Sequence, residues 1–386
     1  MAQQVSFFTS VAKNESRSAW SETDASIPAA LAAISNANQP SSSSTTTLRD
    51  LSAAVSSPSA LCHPHPLFPT LLEKGILTEI PTAEGTPRTC QAVSRPKDFT
   101  SEFQALRADT ADLRDPSRSQ IVRAWYYKAQ NRYFDVQGAD QWLFRLNDPH
   151  GMLDFEAWKT QVQDWDELGD CPYINASCMG SFHGDIITQG PLMTTKAAFW
   201  KMVWLARLPV IVMLTPFIES NIQKCDEYFH KRIGKEVSCG KQFQISVRLI
   251  EEIEHKGFIV RKCILKHGNE ERLVEQVHCS DWTDHQAYAI KRLCGLIKYV
   301  AHVVDGKSLT AHCSAGVGRT GTFYACYLIY LFWKLKGGSI QVNVYELVKL
   351  LRSFRPDLVQ RPPQYGVIFD FIDELNKFDS KLSSHL

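Results

Sequence analysis

The chain has 386 residues, and its 42 lysines and arginines nearly balance its 41 aspartates and glutamates. This balance excludes a strongly basic nucleic-acid-binding protein, and 11 cysteines scattered without Cys-x-x-Cys pairs exclude a zinc module or disulfide scaffold. We therefore expect a soluble, cytoplasmic protein that binds no nucleic acid, metal or cofactor. Its most apolar runs, Leu208–Ile218 and Phe323–Trp333, are shorter than the roughly 18 residues that span a bilayer, so no transmembrane segment is expected.

The first 97 residues differ in composition from the rest. Met1–Ser59 is rich in Ser, Thr, Ala, Asn and Gln and offers too little apolar surface to offset the entropy of ordering. Cys62–Pro66 carries two histidines, but prolines flank both, so a linker is favoured over a metal site. We predict a largely disordered region and linker over residues 1–97, with Leu71–Ile80 as a potential short packed element. A folded domain over residues 98–380 and a short tail over 381–386 follow.

Helices and strands alternate from Phe99 onward. The predicted helices are Phe99–Leu106, Thr195–Ala206, His285–Val304, Thr320–Leu335, Val342–Phe354 and Pro363–Phe378. The predicted strands are Gln141–Leu146, Tyr173–Ala176, Ile186–Pro191 and Val210–Leu214, then an antiparallel set at Phe243–Ile250, Gly257–Lys266 and Glu271–His278. Because the two kinds of element intermix, we expect one large α/β domain whose central twisted mixed sheet is flanked by helices.

The stretch His312–Gly321, the cysteine loop, carries the clearest chemistry. Small residues let its backbone N–H groups converge on one point, and the following helix aims its positive end at the same point. Cys313 would be stabilised there as a thiolate, and Arg319 adds a planar fork for a tetrahedral dianion. The pattern predicts phosphoryl transfer through a cysteine. The alternative is a glycine-rich turn with a buried structural cysteine.

Three other loops could complete such a site. Ser280–His285 follows a strand and offers Asp284 as a proton donor, with Trp282 as a hinge or latch. Asp281 is the rival acid, and both aspartates could instead cap the next helix. Gln360 and Gln364 precede the last helix and could hold a water. A polar loop over residues 130–136 has a tyrosine at its centre.

Together these motifs resemble the tyrosine-specific protein phosphatase family of cysteine phosphatases, over roughly residues 99–378. The cysteine loop matches the family's phosphate loop, and Asn131–Val136 matches its phosphotyrosine loop. The framework and glutamine-loop motifs follow in the family's order: Tyr173–Ala176, Thr188–Pro191, Phe199-Trp200, Val212–Thr215, Lys224-Cys225, Arg355-Pro356, Val359-Gln360 and Gln364-Tyr365.

The resemblance implies a signalling hydrolase that dephosphorylates phosphotyrosine-containing proteins through a phosphocysteine intermediate. It implies these catalytic roles: Cys313 as nucleophile, Arg319 gripping the phosphoryl group, Asp284 as acid and then base, His312 holding the thiolate, Thr320 aiding phosphocysteine breakdown, and Gln360 placing the water. It implies these substrate-binding residues: Tyr133, Asp135, Ser314, Ala315, Gly316, Val317, Gly318 and Gln364. Glu219 would orient Arg319 in a bidentate pair. Lys224 would support the loop that carries Asp284, and Trp282 would act within that loop.

The chain departs from the family at three positions. Thr283 stands where the family usually has proline, which loosens the loop that carries Asp284. Ser220 stands where a lysine is usual. Phe134 stands where a basic residue is common, which weakens any preference for acidic residues beside the phosphotyrosine. The sequence Asp284-His285-Gln286 is similar to tyrosine phosphatases that bacteria inject into host cells. That origin would place the protein in the host cytosol, and residues 1–97 would then bind a secretion partner. A eukaryotic regulatory region that binds a regulatory partner would have the same composition.

Other functions fit less well. A phosphoinositide phosphatase needs cationic loop residues, whereas Ser314, Ala315 and Val317 are uncharged. Dual-specificity enzymes lack the Asn-Arg-Tyr loop that is present here. The serious alternative is a catalytically weak module that binds or traps phosphotyrosine. Such modules typically lose the acid, the cysteine or the arginine, and this chain has all three.

Overall fold

A computed structural model of the protein describes residues 65–82, 88–163 and 170–383. The disorder predicted for Met1–Ser59 lies outside these residues. The helices are α1 (Phe68–Glu73), α2 (Phe99–Asp109), α3 (Gln120–Arg123), α4 (Phe155–Gln163), α5 (Lys196–Leu205), α6 (Ile290–Val304), α7 (Gly318–Lys336), α8 (Val344–Phe354) and α9 (Pro362–Ser383). The strands are β1 (Leu77–Ile80), β2 (Cys90–Ala92), β3 (Ala176–Cys178), β4 (Ile186–Thr188), β5 (Val210–Met213), β6 (Ile218–Glu219), β7 (Ile222–Gln223), β8 (Glu236–Cys239), β9 (Ile245–His255), β10 (Phe258–His267), β11 (Glu270–His278), β12 (Leu309–His312) and β13 (Ser339–Val342).

The main sheet has eight strands in the order β3-β4-β12-β5-β11-β10-β9-β8. Its central strands β4, β12, β5 and β11 are parallel, and the strands on both sides of them run antiparallel. His312 at the end of β12 pairs with Thr188 of β4 and Met213 of β5. The loops after these strands therefore leave the sheet at one edge, where open α/β sheets bind ligands. This architecture confirms the predicted fold class.

The centre of the domain is the apolar helix α7. Every residue from Gly318 to Trp333 is buried, so the helix is covered on all sides by the sheet and by α6, α8 and α9. Strands β5 and β12 are buried along their whole length, as expected for parallel strands covered on both faces. Within the described ranges, no helix has the length and apolar character needed to cross a membrane.

The packed part of the chain begins before the boundary expected near residue 97. Strands β1 and β2 flank β13 in a second, three-stranded sheet, and Phe68 and Leu71 of α1 are buried in the main core. The His65 imidazole bonds the buried Asp185 carboxylate at 2.8 Å. The sequence predicted a linker here, with Leu71–Ile80 as a potential packed element, because its local pattern does not encode contacts with segments more than 100 residues away.

Several element boundaries differ from prediction for local reasons. Gln141–Leu146 forms no strand, because a 3₁₀ turn at Asp140–Trp142 leaves one bridge, between Leu143 and Ser177. The helix predicted from His285 begins at Ile290, and His285 itself has a φ of 61°. Val342 ends β13 rather than starting a helix, since the Asn343 side chain caps α8 instead.

Candidate active site

The cysteine loop joins the end of β12 to the start of α7, at the binding edge of the sheet. Its glycines are required by close packing. Gly316 has a φ of 72°, and a Cβ there would stand 2.1 Å from the Thr188 carbonyl oxygen. A Cβ on Gly321 would stand 2.4 Å from the Val359 nitrogen. Cys313 opens the loop and is 3% exposed.

Arg355 holds the outer side of the loop and is fully buried. Its Nε donates to the Gly316 carbonyl at 2.9 Å and its Nη2 to the Ala315 carbonyl at 3.1 Å. Because a trans peptide points its N–H opposite to its C=O, these bonds turn the next two N–H groups away from Arg355. Burial lowers the pKa of Arg355 to about 10, which leaves the guanidinium charged at neutral pH. The sequence identified this residue only as part of the glutamine-loop motif.

Arg319 lies in the first turn of α7 and is completely buried. Its Nη1 donates to the Trp282 carbonyl at 2.7 Å and meets Glu219 Oε2 at 3.5 Å. The bidentate pair expected between Glu219 and Arg319 is wrong, because the other Glu219 oxygen accepts the backbone N–H of Asp284 at 2.9 Å. Among the described residues, Arg319 Nε and Nη2 make no hydrogen bond, and Nη2 has an ion pair with Asp284 Oδ1. Buried donors that lack a hydrogen bond are costly, so this geometry favours a bound anion.

Asp284 faces Arg319 from the acid loop, residues 279–289 between β11 and α6. Its Oδ1 is 3.4 Å from Arg319 Nη2, and its Oδ2 accepts from Lys224 Nζ at 3.0 Å. Burial raises the pKa of Asp284, but the two cations outweigh it, and the net pKa lies below the ordinary value. The rival acid Asp281 points elsewhere, toward Tyr288. Of the two aspartates, only Asp284 shares the pocket with Arg319.

His312 is buried beneath the loop and bonded at both ring nitrogens. Nδ1 lies 3.1 Å from the Cys313 carbonyl, and Nε2 lies 3.0 Å from the Tyr228 hydroxyl. Burial lowers the pKa of His312 to about 3, so the ring is neutral near pH 7. The carbonyl can only accept, so Nδ1 carries the proton and Nε2 accepts from Tyr228. Tyr228 was missed because it lies 84 residues away in sequence, outside every motif.

Tyr133 contacts the cysteine loop through its hydroxyl group. Its hydroxyl lies 2.8 Å from Ser314 Oγ. The preceding Arg132 is held in place because it donates to the Gly190 carbonyl at 3.0 Å and to the Pro191 carbonyl at 2.6 Å. Asp135, two residues beyond Tyr133, is exposed and makes no polar contact with the described residues.

The predicted glutamines also lie against the loop. A Cβ on Gly318 would stand 2.8 Å from Gln364 Nε2 and 3.3 Å from Gln360 Oε1. Gln364 Oε1 accepts from the backbone N–H of Gln360 at 3.0 Å, while its Nε2 is buried without a hydrogen bond to any described residue. Thr320 Oγ1 is buried without one as well. Together with Arg319, these groups give the loop a set of open polar atoms.

No cluster of three or more metal-binding side chains occurs within the described ranges. The site consists of the cysteine that opens the loop, the buried guanidinium of Arg319 and the Asp284 carboxylate that faces it. The fold and this loop define an α/β protein whose strand-to-helix loop carries both a cysteine and a buried guanidinium.

Comparisons with known proteins agree with this class. The family model described as protein-tyrosine phosphatase matches residues 127–374. The chain is 33% identical over 290 residues to tyrosine-protein phosphatase 99A of Drosophila melanogaster, covering 72% of this chain and 20% of the relative. It is 28% identical over 291 residues to human tyrosine-protein phosphatase non-receptor type 12, covering 72% of this chain and 36% of the relative. The chain belongs to the protein-tyrosine phosphatase family.

A solved structure from work on the structural basis of the PTPN18 fingerprint on distinct HER2 tyrosine phosphorylation sites has the same fold. The TM-score is 0.60 at 22% identity, with 72% of this chain and 95% of the other covered. The chain spans well under half the length of the curated relatives it matches.

Proposed function

We propose that this chain hydrolyses phosphotyrosine in proteins to tyrosine and inorganic phosphate, through a phosphocysteine at Cys313. The observation that carries the proposal is the guanidinium of Arg319. It is wholly buried in the same loop as Cys313, and its Nε and Nη2 make no hydrogen bond to any residue that the structure describes. A phosphoryl dianion offers equatorial oxygens that match such a fork.

In the first step, the Cys313 sulfur attacks phosphorus and the bond from phosphorus to the phenolic oxygen breaks. Asp284 gives that oxygen a proton, so tyrosine leaves neutral. In the structure, Asp284 is paired with Arg319 and Lys224. The dianion would take over the Arg319 donors, and its own charge favours the protonated carboxyl group that this step requires.

In the second step, a water attacks phosphorus and the bond to Cys313 breaks. Asp284, now ionised, accepts the water's proton. Gln360 and Gln364 border the same loop and would orient the water, and the Thr320 hydroxyl would assist the departing thiolate. The products are inorganic phosphate and the regenerated thiolate.

The pocket walls favour an aromatic phosphate. Tyr133 stands beside Ser314, so its ring would line the entrance and pack against a substrate ring. Asp135 is exposed next to this wall and would accept N–H groups of the substrate peptide. A cytosolic location, a role in signalling, a partner for the leader and an origin as an injected bacterial enzyme stay predictions.

Phosphate release from a phosphotyrosine peptide by wild type, Cys313→Ser and Asp284→Ala tests the proposal. We expect turnover by wild type, none by Cys313→Ser, and a loss on the order of 10²–10⁴-fold with Asp284→Ala. Both variants should still bind the peptide. If wild-type protein binds the peptide without releasing phosphate, the chain is instead a catalytically weak module that binds phosphotyrosine.

A further inference from the structure

The two ends of the acid loop are tied together by a cluster of polar side chains. Asp281 accepts a hydrogen bond from the Tyr288 hydroxyl at 2.6 Å and one from Cys279 Sγ at 3.4 Å. Its other oxygen is ion-paired with Arg292 in the first turn of α6. This cluster therefore joins the end of β11, the far end of the acid loop and the helix that follows.

Tyr288 also supports the tryptophan that precedes the acid. The two rings are stacked, with centroids 4.8 Å apart and planes at 16°, and Trp282 is fully buried. Trp282 Nε1 donates to the Gln286 carbonyl at 3.1 Å, and its own carbonyl accepts from Arg319 Nη1 at 2.7 Å. A continuous set of contacts thus runs from the cluster to the guanidinium that faces Asp284.

We propose that Asp281, Tyr288 and Arg292 form a clamp that holds the acid loop against the cysteine loop and so positions Asp284. The inference rests on the proposed function, because it concerns the proton donor of that reaction. Asp281, which the sequence offered as a rival acid, becomes a positioning residue. The clamp also supplies the stiffness that Thr283 does not, since a proline there would fix φ.

The strongest member of the clamp is the bond between Tyr288 and Asp281. The side chains of Asp281 and Arg292 are 36% and 52% exposed, so their ion pair is well solvated and weak by itself. Tyr288 is 9% exposed, and burial raises its pKa, which keeps the hydroxyl protonated and donating. Removing that hydroxyl while keeping the ring is therefore the most selective perturbation.

The test compares Tyr288→Phe with wild type on two aryl phosphates, using kcat/KM, which reports the steps up to the first transfer. Phenyl phosphate needs a proton on its leaving oxygen, whereas 2,4-dinitrophenyl phosphate leaves readily as an anion. We expect roughly a tenfold loss on phenyl phosphate, the size of one charge-assisted hydrogen bond, and a change below about twofold on the dinitrophenyl ester. Asp281→Leu should behave alike.

Tyr299→Phe is the matched control, because Tyr299 lies on α6 and its hydroxyl also bonds a carboxylate, Glu275, at 3.2 Å. We expect it to leave both substrates unchanged. In an Asp284→Asn background, Tyr288→Phe should cause no further loss on phenyl phosphate. Equal losses on both esters, or a full tenfold loss in that background, would overturn the clamp. A wild type inactive on both esters would refute the proposed function instead.

Discussion

Replacing Arg355 by lysine probes how the loop acquires its anion-binding shape. The guanidinium makes four hydrogen bonds, to the carbonyls of Ala315 and Gly316, to Asn175 Oδ1 at 2.9 Å and to Ser177 Oγ at 3.1 Å. A lysine keeps the charge but cannot span all four acceptors. If two buried carbonyls lose their donor, the free energy of unfolding falls by about 2–6 kcal/mol at about 1–3 kcal/mol each.

The matched control is Arg352→Lys. Arg352 is equally buried and also makes four hydrogen bonds, two of them to the carbonyls of Leu358 and Val359, but none to the cysteine loop. Urea unfolding should show similar losses for both variants. Only Arg355→Lys should lower kcat/KM on phosphotyrosine peptide, by on the order of 10²-fold, because the backbone N–H groups of the cysteine loop would no longer be oriented toward the phosphoryl group. Equal kcat/KM in the two variants, measured where both are folded, would refute this reasoning.

Three further predictions follow from the same contacts. Gly316→Ala should disrupt the turn of the cysteine loop and abolish activity. Gly337 is also at positive φ, but no described atom lies within 4 Å of a Cβ there, so Gly337→Ala should cost about 1–2 kcal/mol of stability and leave kcat/KM unchanged. Lys224→Met removes a cation from Asp284, so its pKa should rise and the basic limb of the kcat/KM profile should move to higher pH; an unmoved limb contradicts the pairing. Burial lowers the pKa of His278 to about 4 and that of His312 to about 3, both below the unfolded value of about 6.5. The free energy of unfolding should therefore fall as pH drops from about 6.5 to 4, by about 1.4 kcal/mol per pH unit for each histidine. Urea unfolding at pH 6.5 and 5 measures this loss, and His278→Gln should halve its dependence on pH.

The elements that could be predicted from the sequence are those whose residue patterns are local. The antiparallel strands β9 to β11 alternate around tight turns, and α7 is a long apolar run that ends at Gly337. The cysteine loop was likewise expected to lead into a helix, and α7 begins at Gly318. In each case the residues that make the structure are neighbours in sequence.

What could not be predicted depends on contacts between distant segments. Strand β13 is only four residues long, and its partners β1 and β2 lie about 250 residues earlier. Tyr228 beneath His312 has no spacing signal. The residues of the clamp are near one another in sequence, but their contacts depend on side-chain geometry, which secondary-structure propensity does not predict. Asp281 could equally have been a cap or an acid.

The most direct test of the central claim is mass spectrometry of the Cys313 peptide after rapid acid quench during turnover of a phosphotyrosine peptide. We expect one phosphoryl group on Cys313, accumulating further in Gln360→Ala because the hydrolytic water is less well placed. Phosphate released while Cys313 remains unmodified, or a phosphoryl group on another residue, would contradict the account.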